Sequence, residues 1–380
     1  MFPPCRSRTE MGDLRAVLAL EDGSKFHGFG FGFPCEVSGE VVFNTGMTGY
    51  IEALTDPSYS GEILMQTYPL IGNYGAPSKN SRDRFGLPSF FESKGIQVNG
   101  YIVQSISDNP SHWMCARTLE DWLFDEGVPG IAGIDTRKLT KKLRAKGAML
   151  GILKVDEEFD MNEIEAHLSE IPDPSEIDLV KDVTIGKPVH HRGSGPTIVI
   201  IDCGVKFSII RSLLARDIDV VRVPYDYPVE GILEFDPSGV LISNGPGEPK
   251  MCKESIHLVG ELMEVGLPMM GICLGNQLLA LASGGDTYKM KFGHRGQNHP
   301  CTDLSDGRCY ITSQNHGFTI ESESLKGTGF KVSYVNANDG TVEGIRHQDK
   351  PIFGVQFHPE GSPGPTDTDF LFNRFLSEVR

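Results

Sequence analysis

The chain has 380 residues, 39% hydrophobic and 23% charged, with a formal net charge of −16 at pH 7. This length accommodates two domains of ordinary size. No apolar run approaches the ~20 residues a helix needs to cross a bilayer, and the acidity, with no Lys/Arg cluster against it, opposes binding to nucleic acid or an anionic membrane.

The eight cysteines are dispersed without a Cys-x-x-Cys pair. They offer no zinc-ligand spacing and fit a reducing compartment, so a cytoplasmic location and no metal are expected. Residues 1–13 read as a disordered leader, with Met11 as an alternative start. A first domain is expected over 14–154. Ala16–Leu20, a turn at Glu21-Asp22-Gly23-Ser24, and a strand from Phe26 open it. Phe29, Phe31 and Phe33 alternate with glycine, which marks a tightly packed edge. Further strands are expected at 40–44, 63–67 and 100–104, and helices at 118–126 and 136–145, the second with Asp135 as N-cap. This half is mixed α and β, and its pattern alone shows no catalytic constellation.

Residues 155–195 read as a linker. An acidic run leads into a short helix at 162–171, followed by Pro172, Pro174, Gly186, Pro188 and a Gly/His-rich run. His190-His191 reads as part of that linker rather than as a metal-ligand pair. The second domain, 196–380, alternates strand and helix: strands at 198–201, 220–223, 239–243 and 269–272, helices at 207–216 and 255–265, and a last helix at 369–379. Strands of Val and Ile without polar alternation are those of a parallel sheet buried on both faces. The expected fold is therefore α/β, a doubly wound, mostly parallel C-terminal sheet with a smaller mixed α/β N-terminal domain.

Two segments of the second domain carry chemistry. In Gly271-Ile272-Cys273-Leu274-Gly275-Asn276-Gln277 a strand ends in a cysteine flanked by glycines, and an Ala/Leu-rich helix follows. A sharp turn there exposes the side chain, and the helix N-terminus favours its thiolate. The glycines are expected to supply positive φ and close backbone approach. A buried structural cysteine is the competing reading. In Gln356-Phe357-His358-Pro359-Glu360 an apolar strand ends in His-x-Glu, and residues two apart on an extended chain share a side. Cys273, His358 and Glu360 then form a nucleophile, a base and an orienting group. Asn244-Gly245-Pro246-Gly247 ends another strand at the same sheet edge, where ligands bind. Its backbone N–H groups are candidates for an oxyanion hole.

These motifs resemble those of the class I (triad) glutamine amidotransferases. The resemblance continues into the first half. Glu40 to Tyr50, Leu54-Thr55-Asp56-Pro57-Ser58-Tyr59, Tyr68 to Gly75, Gly133-Ile134-Asp135-Thr136-Arg137 and Ser313-Gln314-Asn315-His316-Gly317-Phe318 are similar to the carbamoyl-phosphate synthetase small-chain family. It implies Cys273 as nucleophile, His358 as base and acid, and Glu360 as its orienter. It implies glutamine contacts at Ser58, Gly245, Gly247, Leu274, Gln277, Asn315, Gly317 and Phe318, with Ser58 reaching the pocket from the first domain. It further implies no cofactor in this chain, and a partner, a synthetase large chain or fused domain, that uses ATP and Mg to make carbamoyl phosphate. Many relatives have His where this chain has Asn276. The glutaminase of another biosynthetic amidotransferase and a mainly regulatory subunit are the alternatives. Both fit less well, given the first-half motifs and the intact Cys/His/Glu set.

Overall fold

A computed structural model describes residues 14–379. The expected leader lies outside them. The chain forms two compact units that interleave along the sequence. The first gathers the described residues up to Tyr50 with Gly61–Lys79 and Val98–Asp173. The second gathers Ile51–Ser60, Asn80–Gln97 and the chain from Pro174 onward. The 155–195 stretch is thus divided. Strand Met149–Asp156 runs into it and helix Met161–Leu168 belongs to the first unit, whereas strand Val189–His191 joins the second unit's sheet.

In the first unit, strands Arg15–Leu20, Lys25–Gly32, Glu36–Asn44, Glu62–Gln66, Gly100–Ile102, Pro129–Ala132 and Met149–Asp156 close into a barrel. The Phe/Gly strand is therefore not an edge. It pairs on both sides, with Arg15–Leu20 and with Pro129–Ala132. Its glycines permit close approach: a Cβ on Gly28 would lie 2.3 Å from the Ala132 carbonyl oxygen, and one on Gly30 2.6 Å from Val155. Helices Leu119–Glu126 and Thr136–Lys146 start at Thr118 and Asp135, whose side chains accept from backbone N–H groups of the first turn.

The second unit is built on a ten-stranded sheet. Its centre is parallel: Asp219–Pro224, Thr197–Asp202, Gly239–Ile242, Met269–Ile272 and Ile352–Val355, in that spatial order. Antiparallel strands extend it, Val189–His191 on one side and Val342–His347, Phe330–Asn336, Thr287–Asp303 and Cys309–Ile320 on the other. Alternate residues of the central strands enter two cores. Val199, Ile201, Val240 and Ile242 pack with Leu258, Leu262 and Leu278, while Ile198, Ile200, Leu241 and Met270 pack with Ile210, Phe372 and Phe375. Full burial of each such side chain contributes roughly 1.5–3 kcal/mol, which holds the C-terminal ends of the strands as one rigid edge.

The segment Asn80–Gln97 is bound into this unit by charge. The buried Glu92 carboxylate accepts from Ser208 N at 3.0 Å and Ser362 Oγ at 2.8 Å, and Arg211 Nε donates to Asp83 at 2.8 Å. Among the described residues no helix is long and apolar enough to cross a membrane.

Candidate active site

Strand Met269–Ile272 ends at Cys273, and helix Leu274–Ala282 starts immediately after it. Cys273 carries φ +54° and ψ −104°, a conformation that costs a side-chain-bearing residue roughly 1–3 kcal/mol. The flanking glycines do not supply the positive φ, as expected from sequence; the cysteine itself does. They supply proximity. A Cβ on Gly271 would lie 2.5 Å from the Gly275 backbone, and one on Gly275 2.2 Å from the Ile242 carbonyl oxygen. The strain is held in place by the Cys273 N–H, which donates to the Val355 carbonyl at 2.8 Å. The first N–H groups of the following helix lack intrahelical acceptors and lie beside the sulfur-bearing residue.

The neighbouring strand Ile352–Val355 leads into His358, held by its own N–H donating to the Ser313 carbonyl at 2.9 Å. His358 Nδ1 lies 2.7 Å from Glu360 Oε1, and both side chains are buried. With Nδ1 taken by Glu360, His358 Nε2 is the buried ring atom that faces Cys273. Burial works against the imidazolium, but the Glu360 carboxylate outweighs it and raises the His358 pKa to about 10, with the Cys273 side chain adding to the rise. Burial also works against the Glu360 carboxylate. Lys206 and then His358 reverse that and lower its pKa to about 2.

Lys206 was not foreseen from sequence. It follows strand Thr197–Asp202, is fully buried, and donates from Nζ to Glu360 Oε1 at 2.9 Å. Burial alone would lower its pKa, but Glu360, Glu92 and Asp56 push it up, so it stays charged. The Cys/His/Glu set therefore has a fourth, cationic member.

Asn244-Gly245-Pro246-Gly247 lies at the same edge. A Cβ on Gly245 would lie 2.7 Å from the Leu274 side chain, and Gly247 adopts φ +87°. Ser58 sits in the short 3-10 helix Pro57–Tyr59 capped by Asp56. It reaches the site, but as part of the second unit rather than from the first: its Oγ accepts from Asn244 Nδ2 at 2.9 Å. Asp56 ties the same turn to Asn315, whose Nδ2 donates to Asp56 Oδ2 at 3.1 Å, and the Asn315 carbonyl lies 3.7 Å from Cys273 Sγ. Gln277 Nε2 donates to the Phe318 carbonyl at 2.8 Å, and Gly317 lies between His316 and Phe318 on the same strand, where a Cβ would meet the Arg295 side chain at 3.4 Å. All the residues implied by the resemblance thus fall within the second unit.

Farther along the antiparallel strands, His294, His316 and Glu343 place potential ligand atoms within 4.8 Å of one another. Hydrogen bonds already engage them, with one another and with other groups. His294 lies 3.2 Å from Glu343 and 2.8 Å from Asp339, and His316 Nδ1 lies 2.8 Å from the Phe318 carbonyl. Burial, and then His294, hold His316 well below the ordinary imidazole pKa.

Residues 199–377 match the class-I glutamine amidotransferase family model, and residues 18–153 match that of the carbamoyl-phosphate synthase small chain, CPSase domain. The chain is 51% identical to the carbamoyl phosphate synthase small chain of Methanopyrus kandleri over 97% of its own length and 99% of that protein. It is 50% identical to the protein of the same name from Methanocaldococcus jannaschii over 96% and 98%. It is 45% identical to the carbamoyl phosphate synthase arginine-specific small chain of Chaetomium globosum over 99% and 80%. The chain belongs to the carbamoyl phosphate synthase small-chain family.

Proposed function

We propose that this chain is the glutaminase component of a glutamine-dependent carbamoyl-phosphate synthetase. The observation that carries the reading is the strained Cys273 turn, its side chain hydrogen-bonded to the buried His358 of the His358–Glu360 pair, in a chain about half identical to named small chains over nearly its whole length.

Cys273 acts as nucleophile. An imidazolium beside a cysteine favours its thiolate, and Glu360 keeps the proton on His358. The thiolate attacks the side-chain amide carbon of glutamine, and the carbonyl π pair moves to oxygen. Backbone N–H groups of Leu274 and Gly247 stabilise the oxyanion, each well-placed donor contributing about 3 kcal/mol. His358 Nε2 gives its proton to the amide nitrogen, the C–N bond breaks, and ammonia leaves a glutamyl thioester. Water then loses a proton to His358 as it attacks the thioester carbon. The C–S bond breaks and glutamate departs, restoring the pair. Ser58, Gly245, Gly247, Gln277, Asn315, Gly317 and Phe318 bind the glutamine.

None of these steps draws on a metal or organic cofactor from this chain. Ammonia passes to a synthetase large chain or fused domain, which uses ATP, Mg and bicarbonate. A cytoplasmic location suits a thiol nucleophile and the free cysteines among the described residues. The test is to mix the full chain with a synthetase large chain and follow glutamine-dependent carbamoyl phosphate. Wild type should support it, and Cys273→Ser should lose it while ammonia-dependent synthesis continues. Glutamine-dependent turnover retained by Cys273→Ser would overturn the assignment.

A further inference from the structure

Gln356 is completely buried two positions before His358, and no step above uses it. Its orientation follows from a backbone carbonyl, which can only accept. The Phe318 carbonyl accepts from Gln277 Nε2 at 2.8 Å, so that atom is the nitrogen end of the Gln277 amide. The same nitrogen lies 3.2 Å from Gln356 Oε1, and Asn276 Nδ2 reaches that oxygen at 3.2 Å too. With its oxygen facing two donors, Gln356 presents its Nε2–H to Cys273 Sγ, 3.6 Å away. The sulfur also faces the His358 side chain and the Asn315 backbone carbonyl at 3.7 Å, which can only accept. That carbonyl suits the protonated thiol and opposes the thiolate. The Gln356 amide does the reverse.

We propose that Gln356 is an auxiliary donor to the nucleophile: its Nε2–H stabilises the Cys273 thiolate, and its Oε1 holds the Asn276 and Gln277 amides in the register that makes this possible. The inference rests on the glutaminase reading of the site. A hydrogen bond to a charged acceptor is roughly twice as strong as a neutral one, so the contact gains strength when the thiol loses its proton. Asn276 completes the arrangement. It packs against Gly354, where a Cβ would lie 2.5 Å from Asn276 Oδ1, so the side chain is held toward Gln356.

The test measures alkylation of Cys273 by iodoacetamide in the full-length chain between pH 5 and pH 10, read by mass spectrometry of the Cys273 peptide. Wild type is compared with Gln356→Met, which keeps length without polarity, and with Gln356→Glu, which keeps the acceptor oxygen and aims a second oxygen at the sulfur. Both variants should react about 10-fold or more slowly at pH 7 and reach their maximal rate at higher pH, Gln356→Glu more so. A structural role alone would slow alkylation equally at every pH, and a rate–pH curve that keeps its midpoint in both variants would overturn the proposal. If one variant fails to fold, the midpoint of the other decides. Wild-type Cys273 that is inert to the reagent across this range would remove the glutaminase reading as well, whereas a reactive Cys273 with unshifted variants removes this inference alone.

Discussion

Replacing Cys273 should invert a familiar order of stability. In ordinary elements glycine is less stable than alanine by roughly 0.5–1 kcal/mol through backbone entropy, and a buried methyl contributes about 0.8 kcal/mol more. Both differences apply at Cys301, a fully buried residue of strand Thr287–Asp303, so Cys301→Ala should exceed Cys301→Gly by about 1.5 kcal/mol. At Cys273 the φ of +54° adds an opposing contribution. Alanine keeps the strain of roughly 1–3 kcal/mol and glycine releases it. The sulfur is lost in all four variants, so comparing the Gly–Ala difference at the two sites cancels everything except the strain. That double difference should be about 2 kcal/mol in favour of glycine at Cys273, or roughly 4–8 °C in Tm for a unit of this size. The assay is thermal or urea unfolding of the four variants, all measured without ligand. If alanine leads glycine by the same margin at both positions, the cysteine turn holds no strain and the reasoning fails.

Three further outcomes follow from the site. His358→Asn should abolish glutamine hydrolysis, because proton transfer contributes roughly 10²–10⁴-fold in each half-reaction. Glu360→Gln should leave measurable turnover, and equal loss in the same steady-state assay would mean that Glu360 does more than orient and stabilise the imidazolium. Ser58→Ala removes the acceptor for Asn244 Nδ2 and should raise the KM for glutamine more than it lowers kcat, while Ser58→Phe should block binding; unchanged kinetics in both would make Ser58 a structural turn residue. Stability should also depend on pH through the buried pair. Glu360, at about 2 against 4.5 for a free carboxyl, contributes above pH 4.5 and loses that contribution as pH falls toward 2. His358, at about 10 against 6.5, contributes fully below pH 6.5 and loses it as pH rises toward 10. Tm measured from pH 3 to pH 9 should decline on both flanks in wild type and less steeply in Glu360→Gln, and parallel curves would contradict the assignment of both slopes to this pair.

The parallel strands were legible because burial on both faces leaves unbroken apolar runs such as Ile198–Ile201 and Met269–Ile272, and the cysteine turn was legible because its glycines stand where backbones must touch. The long antiparallel pair Thr287–Asp303 and Cys309–Ile320 was not. Its residues His294, Arg295, Thr312, Gln314 and His316 are polar and buried, so neither strict alternation nor an apolar run appears. Lys206 and Glu92 were missed for a related reason. A single charged residue beside an apolar segment reads as surface until the fold supplies its counter-charge. Glycine's permissiveness does not reveal which neighbour carries the strain: the pattern points to Gly271 and Gly275, whereas Cys273 holds the positive φ. Ser58 was legible only through resemblance, since nothing local distinguishes a turn serine that reaches Asn244 from one that stabilises its own loop.

The interleaving of the two units along the chain has a consequence for modularity. A fragment beginning at Pro174 would contain the proposed catalytic residues Cys273, His358 and Glu360, yet it would lack Asp56, Ser58, Asp83 and Glu92. Asn315, Asn244, Arg211 and Ser208 would each lose a partner they have in the whole chain. Excision at that boundary therefore exposes hydrogen-bonding groups that the fold buries, and the catalytic half is not a detachable cassette. Any exchange of this glutaminase between fused and separate proteins has to carry residues 51–60 and 80–97 with it, a requirement written into the hydrogen bonds of the second unit.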